Sequence, residues 1–310
     1  MTVSALPASA RRPLVHVRRT TRAVPAGAWS MVTAALAFGA MNALVKAVSA
    51  ELPTMEIVFV RTAMMGALTL AMLRRAGVSP IGNNHRLLFA RGAIGATALS
   101  LLYFALGRIP LGDATTIHYT APIWTALTAA FFLREKIGPW VVAGTAVSLA
   151  GVVMIAQPQF LFGGAGLDPL AVGAAVAASV LAGSVYTVVR KLRETDHPLV
   201  IVFSLAWVGA VGSLPFALLG GWAWPSPEAW ALLAGIGLST QVGQVYLTKG
   251  LHALPAAKAT AIGYLQIVFA FGLGVVFFGT VPNAWSVGGA ALVLLSVLLL
   301  ARRQRPRATA

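Results

Sequence analysis

The chain has 310 residues, of which 58% are hydrophobic and only 10% are charged; it carries a net charge of +15 and no cysteine. A soluble domain has about 25% charged residues, so this composition excludes an ordinary water-soluble protein. The lack of cysteine excludes disulfides, thiolate catalysis and cysteine-ligated metal sites. The basic residues lie in short loops and tails between long apolar runs, which favours a membrane protein over a nucleic-acid-binding one.

The chain begins with a polar tail that contains five arginines, which we interpret as a cytoplasmic basic tail spanning residues 1–27. Ten apolar segments follow, each close to the roughly 20 residues that a helix needs to cross a bilayer. Glycines and prolines separate most of them. The predicted spans are 28–48, 54–73, 88–107, 111–133, 139–157, 169–189, 198–219, 228–248, 255–279 and 284–301, with a second basic tail at 302–310.

Basic residues also predict the orientation of the chain. With the N-terminus inside the cell, most lysines and arginines fall on cytoplasmic loops and tails, as the positive-inside rule requires. We therefore predict a multi-pass protein of the cell inner (plasma) membrane, with both termini cytoplasmic and the loop at 163–168 outside.

The second half of the chain repeats the first at an offset of about 145 residues. Pro110 and Tyr119, for example, correspond to Pro255 and Tyr264. Each repeat holds five segments, an odd number, so the second copy enters the membrane inverted. The fold class that we predict is an all-α polytopic membrane protein with ten transmembrane helices in two inverted five-helix repeats and a cavity near the midplane. The repeats span 28–157 and 169–301.

Polar side chains within the apolar spans cost several kcal/mol by the simpler estimates, so each of them needs a reason. In the fourth span Thr115, His118, Tyr119 and Pro122 fall at i, i+3, i+4 and i+7, which is one stripe of a helix. Such groups either hydrogen-bond between helices or line a cavity. The residues that we predict to bind substrate are Asn42, Arg61, Tyr103, His118, Tyr119, Tyr186, Gln241, Gln244, Tyr264 and Gln266.

The ionisable candidates leave alternatives open. Arg61 lies deep in the second span, where it either binds an anionic substrate group or pairs with Glu56 or a carbonyl. Lys46 and Lys191 match across the repeat, and we interpret them as snorkelling or pairing residues with a structural or gating role. No acidic residue lies at the middle of a span, so a carboxylate proton relay is poorly supported. His118 is either a proton carrier or an ordinary hydrogen-bonding histidine.

The spans at positions four and nine carry the motifs of a known family. The stretch YFALGRIPLGDATTIHYTAPIWTALTAAFFLREKI and the later IGYLQIVFAFGLGVVFFG resemble the EamA-type carriers of the drug/metabolite transporter superfamily. The resemblance implies ten helices in two inverted repeats, with Pro122 inside helix four and Glu135 closing it as a structural or gating residue. The second repeat departs from this pattern, because Ile267 stands at the position of Pro122 and Thr280 at that of Glu135.

We therefore predict a secondary transporter that moves a small organic metabolite, such as an amino acid or a nucleoside-like solute, by alternating access. The expected partners are that solute and the lipid bilayer, with a homodimer left open and no nucleic acid. We predict no cofactor, because no nucleotide-binding motif is present, and no metal site. We also predict that the chain is not an enzyme. The alternatives are an intramembrane enzyme or a channel without a carrier cycle.

Overall fold

The structure, a computed structural model, describes residues 23–132, 139–157, 162, 166–253 and 262–303. These residues form helices and connecting loops, and no strand occurs among them. Five of the helices are long and apolar enough to cross a membrane, and shorter apolar helices accompany them. The helices are α1 Ala23–Val48, α2 Thr54–Arg75, α3 His85–Arg108, α4 Leu111–His118, α5 Ala121–Phe132, α6 Pro139–Ala156, α7 Pro169–Leu192, α8 Pro198–Leu219, α9 Pro227–Ala253, α10 Leu265–Phe278 and α11 Ala284–Arg303.

Local sequence explains where several of these helices begin. The side chains of Asn84 and Asp168 accept hydrogen bonds from the backbone N–H groups of Leu87 and Leu170, which caps α3 and α7. A proline occupies the first position of α7, α8 and α9, where its missing N–H leaves no helical hydrogen bond unmade. These capping residues and prolines therefore mark where each of these helices begins.

The fourth predicted span is not one continuous helix. It is divided into α4 and α5, with Tyr119 and Thr120 between them. Pro122 explains the break, because it has no backbone N–H to donate to His118 and its ring would clash with that carbonyl group. The single stripe predicted for Thr115, His118, Tyr119 and Pro122 was therefore wrong, since helical periodicity does not extend across the break.

The helix pairs show how the two halves are related. Helix α1 packs most extensively on α9, and its repeat counterpart α7 packs in the same way on α3; likewise α2 packs on α8, and α6 on α11. When each helix is exchanged for its repeat counterpart, the α1–α9 pair becomes the α7–α3 pair. The α2–α8 and α6–α11 pairs are each converted into themselves. The bundle thus has the pseudo-two-fold arrangement of inverted repeats, with most of its contacts between the halves.

Helices α6 and α11 approach each other through glycine. A side chain at Gly151 would strike the backbone carbonyl oxygen of Gly289, and a side chain at Gly289 would strike that of Gly151. Small residues at a crossing point let two membrane helices come into backbone contact, which compensates for the weak hydrophobic driving force within lipid. These two glycines therefore fix the distance between the last helices of the two halves.

Two carboxylates connect the halves at opposite ends of α2. At one end, Glu51 accepts hydrogen bonds from the backbone N–H and the hydroxyl of Ser226, at 2.7 and 2.9 Å. At the other end, Asp196 accepts from the backbone N–H groups of Asn83 and Asn84, at 2.6 and 3.3 Å. Glu51 and Asp196 are separated by the same 145 residues that relate Tyr119 to Tyr264. We call these contacts the Glu51 latch and the Asp196 latch.

Candidate functional site

The repeat-related tyrosines meet where the two halves face each other. Tyr119 follows the last residue of α4, Tyr264 precedes the first residue of α10, and their ring centroids are 5.3 Å apart. The Tyr119 hydroxyl donates to Gln266 Oε1 at 2.6 Å, with the Gly263 carbonyl oxygen 3.2 Å away. Three of the predicted substrate-binding residues are thus in direct contact.

Several buried polar atoms near these tyrosines have no hydrogen-bond partner. They include the Tyr264 hydroxyl, Nδ1 of His118 and Oδ1 of Asn42. Asn42 is 2% exposed, and its amide nitrogen makes one long contact of 3.5 Å with Thr115 Oγ1. Buried polar groups in proteins are nearly always hydrogen-bonded, so a cluster of unpartnered ones marks a place where water or a solute binds.

Arg61 and Tyr103 form a second group, between α2 and α3. The guanidinium carbon of Arg61 lies 5.6 Å from the centre of the Tyr103 ring, and Arg61 is only 5% exposed. Its Nε and Nη1 atoms have no hydrogen-bond partner. The alternative pairing with Glu56 is not formed: five residues turn a helix by roughly 140°, and Glu56 accepts instead from the Ala223 backbone N–H at 3.1 Å.

Arg91 on α3 belongs to the same region, although sequence reasoning assigned it to the cytoplasmic basic residues. Its guanidinium group lies near Arg61 and Tyr186 of α7, and Tyr186 in turn lies near Tyr119 and Tyr264. Tyr186 nevertheless leaves 59% of its surface open. The depth of Arg91, in the second turn of an apolar helix, was the signal that could have identified it.

The remaining predicted residues lie apart from this region or have other contacts. Gln241 Nε2 lies 3.2 Å from Met72 Sδ on α2, and Gln244 is half-buried one turn further along α9. Lys46 donates to the carbonyl oxygens of Leu106 and Ile109 at 3.0 and 2.9 Å, which satisfies the C-terminal end of α3. The other three predicted positions are Pro122 in the first turn of α5, Lys191 exposed in the last turn of α7, and Glu135, which lies outside the described residues.

The larger of the two described cavities lies elsewhere. It has a volume of about 460 Å³ and lies between α3 and α8, lined mainly by apolar side chains such as Phe89, Phe203 and Trp207. It contains none of the predicted site residues. Its mainly apolar lining offers few hydrogen-bond partners to a polar solute.

A helical bundle of two pseudo-symmetric halves, with apolar spans and unpartnered polar groups between the halves, is the architecture of a membrane transporter. The model of the EamA-like transporter family matches residues 25–157 and 169–302. The chain therefore belongs to this family, as the sequence predicted.

Known relatives are named as transporters. The chain is 32% identical to the pseudopaline exporter of Pseudomonas aeruginosa over 274 residues, which cover 88% of this chain and 95% of that one. It is 33% identical to human solute carrier family 35 member G1 over 219 residues, 67% of this chain and 60% of that one. The riboflavin transporter of Rhizobium johnstonii is 28% identical over 291 residues, 93% of this chain and 94% of the relative.

A solved crystal structure shares the fold. It matches with a TM-score of 0.63 and 22% sequence identity, and the match covers 90% of this chain and 98% of that one. Together with the family match, this likeness agrees with the predicted class of an all-α polytopic membrane protein built from two repeats.

Proposed function

We propose that the protein is a secondary transporter that moves a small organic metabolite with an acidic group across the inner membrane by alternating access. The observation that carries the proposal is the meeting of Tyr119 and Tyr264, from opposite halves, beside buried polar atoms without partners. A solute bound there would contact both halves at once. Rocking one half against the other would then open the same site to either side of the membrane.

The two latches support the alternating-access part of the proposal. The Glu51 latch and the Asp196 latch join the halves at opposite ends of the bundle, and the structure has both of them closed. A carrier that opens to one side at a time would break one latch while the other holds. Hydrogen bonds to a charged group contribute about 1.5–3 kcal/mol net each, which is small enough for them to break and re-form during a transport cycle.

Arg61 and Arg91 support an acidic solute. An arginine side chain stays protonated in proteins, and placing one within a membrane helix costs up to roughly 3 kcal/mol on insertion scales, the most at the helix centre. The one ion pair recorded among the described residues is Arg108 with Asp168, so no described carboxylate neutralises Arg61 or Arg91. A carboxylate on the solute would supply the missing negative charge, and the planar guanidinium group binds carboxylates through two parallel hydrogen bonds.

The names of the relatives support the solute class in broad terms. The pseudopaline exporter and the riboflavin transporter are each named for one organic metabolite, and the present chain covers 95% and 94% of their lengths. We propose an inner-membrane location with both termini cytoplasmic on the distribution of basic residues alone.

The proposed function is tested by ligand-induced stabilisation of purified protein, followed by transport. A panel of amino acids, dicarboxylates, nucleosides and riboflavin is screened for solutes that raise Tm, because a ligand at 100 times its Kd stabilises the folded state by about 2.7 kcal/mol. We expect a carboxylate-bearing solute to raise Tm in the wild type and to fail in Arg61→Gln and Arg91→Gln. Arg108→Gln, which removes an arginine outside the site, should retain the full shift.

Proteoliposomes then separate a carrier from the alternatives. Proteoliposomes that contain a carrier and are preloaded with unlabelled solute accumulate the labelled solute by counterflow. A channel shows no counterflow, and an enzyme releases a chemically altered product. Loss of the Tm shift in Arg108→Gln as strongly as in Arg61→Gln would contradict the assigned site. Stabilisation by uncharged solutes alone would contradict the acidic class.

A further inference from the structure

A second, polar cavity lies beyond the other end of α4, away from the tyrosine pair. It has a volume of about 120 Å³, enough for several water molecules. Its polar lining comes from Asp113, Gln157, Thr280, Asn283 and Ser286. We propose that Asp113 is the site at which this transporter binds the proton that drives or accompanies solute movement. The proposal rests on the function proposed above and names its coupling ion.

Asp113 is a buried carboxylate whose bonding is incomplete. Asp113 is 3% exposed, and its Oδ1 atom has no hydrogen-bond partner. The side chain of Ser286 hydrogen-bonds to the carboxyl group. An acidic residue in the first turn of a helix is ordinarily stabilised by the helix dipole and by water. Asp113 also lines the polar cavity, and its burial opposes this stabilisation, because a buried charge is costly unless it gains a proton or binds a cation.

Charged groups on the surrounding helices do not neutralise Asp113. They are Lys46 on α1, Arg108 at the end of α3 and Asp168 at the start of α7. Lys46 donates to two carbonyl oxygens, and Arg108 pairs with Asp168 at 4.0 Å. In α10 and α11, the described residues that line the cavity are uncharged. The carboxylate is therefore available to an ion that enters the cavity.

The lining favours a proton over a metal cation. Hard cations such as Ca²⁺ and Mg²⁺ take six or more oxygen ligands. The side-chain amides of Gln157 and Asn283 already bond each other at 2.9 and 3.1 Å, and Asn283 Oδ1 also accepts from the Ser286 backbone N–H. The side chains that these bonds leave free are the carboxylate and two hydroxyl groups, fewer than the six oxygen ligands that these cations take. A proton needs one carboxylate oxygen and water to reach it.

Helix α4 connects this cavity to the proposed solute site. Asp113 and Tyr119 are six residues apart, which is about 9 Å along a helix at 1.5 Å per residue. The neighbouring Gly112 has no side chain, and the Phe271 ring of α10 occupies the space that one would fill. Neutralising Asp113 would change its interaction with Ser286 on α11, and α4 is the element that joins this interaction to Tyr119.

The test is infrared difference spectroscopy of the purified protein during a pH titration, which needs no solute. A protonated carboxylic acid has a C=O band that a carboxylate lacks. The other carboxylates also protonate on acidification, so the Asp113 signal is one component of the C=O region. We expect this component in the wild type and in Asp168→Asn, a control that removes another acid near the same end of the bundle, and we expect it to be missing in Asp113→Asn. A spectrum of Asp113→Asn identical to that of the wild type would overturn the proposal.

Further arms address misfolding, sodium and the dependence on the proposed function. If Asp113→Asn does not fold, Ser286→Ala should move the midpoint of the band, and an unmoved midpoint contradicts the assignment. Replacing choline chloride by sodium chloride should leave the band unchanged; competition by Na⁺ would assign the site to a metal ion instead. If the Asp113 band is present but the protein binds no solute, the proposed function is contradicted. The assignment of Asp113 as a proton-binding site would still be supported in that case.

Discussion

Tyr119 and Tyr264 occupy matching positions in the two repeats, yet their hydroxyl groups have different surroundings. The hydroxyl of Tyr119 donates to Gln266, whereas that of Tyr264 has no partner although Tyr264 is 4% exposed. A pseudo-symmetric pair with one free hydroxyl suggests that only Tyr264 has a hydrogen bond to offer a bound solute. Both rings can still contact the solute through their faces.

These surroundings predict that one phenylalanine variant loses stability and the other loses solute binding. Tyr119→Phe removes the donor to Gln266 and should lower the free energy of unfolding by about 1–2 kcal/mol, because a buried acceptor is left unsatisfied. Tyr264→Phe should change stability by less than about 0.5 kcal/mol and weaken binding of the stabilising acid. Thermal unfolding with and without that acid measures both quantities. Normal binding by Tyr264→Phe would show that its hydroxyl has no part in the site.

Lys46 and Lys191 show why a match in sequence does not guarantee a match in role. They are related by the repeat, but Lys46 caps the end of α3 by donating to two carbonyl oxygens, while Lys191 is exposed in the last turn of α7. A paired role fits Lys46, and a solvated or snorkelling role fits Lys191. Whether either residue has a gating role stays a prediction.

At the scale of the elements, the Asp196 latch connects the loop before α3 to the loop before α8. Burial by itself would raise the pKa of Asp196. The backbone N–H groups of Asn83 and Asn84 and the Thr195 hydroxyl outweigh that effect, and they hold the pKa below its usual value. These donors stabilise the ionised form, so the latch contributes to stability while Asp196 is charged.

The direction of this shift predicts a pH dependence. A carboxylate with a lowered folded-state pKa stabilises the protein fully above the unfolded-state pKa of about 3.9, and this contribution is lost as pH falls through the folded-state value. Asp196→Asn should therefore be less stable than the wild type by about 1–2 kcal/mol near pH 7, and the difference should shrink below about pH 4.

Thermal unfolding in detergent between neutral and acidic pH measures this difference. Glu194→Gln, a change at an exposed acid two residues away, is the matched control and should show neither effect. A stability difference between Asp196→Asn and the wild type that is independent of pH would mean that the carboxylate acts through its shape rather than its charge.

At the scale of the whole molecule, the orientation in the membrane gives a further prediction. The chain has no cysteine, so single introduced cysteines report their own position without background. Ser79 lies in the loop between α2 and α3, and Trp224, 84% exposed, lies in the loop between α8 and α9. In intact cells a membrane-impermeant maleimide should label Trp224→Cys and leave Ser79→Cys unlabelled until the membrane is permeabilised. The reverse pattern would invert the proposed topology.

Much of the architecture could be predicted from the sequence because it depends on one-dimensional patterns. Runs of apolar residues gave ten spans and the membrane class, and the 145-residue offset gave two repeats with an odd number of spans each. The motif around Pro122 gave the family, which the family match confirms. These inferences need only hydrophobicity and spacing along the chain, and neither changes when the helices pack.

The arrangement of the site depended on the tertiary structure. The break after His118, the contact of Tyr119 with Tyr264 and the closing of both latches depend on how each helix is rotated and where it crosses its neighbours. The burial of Asp113 and the partial burial of Arg91 depend on the same geometry, because both residues lie near helix ends that sequence reasoning placed at the membrane boundary. The direction in which a side chain points is set by packing between distant segments, which residue spacing within one segment does not specify.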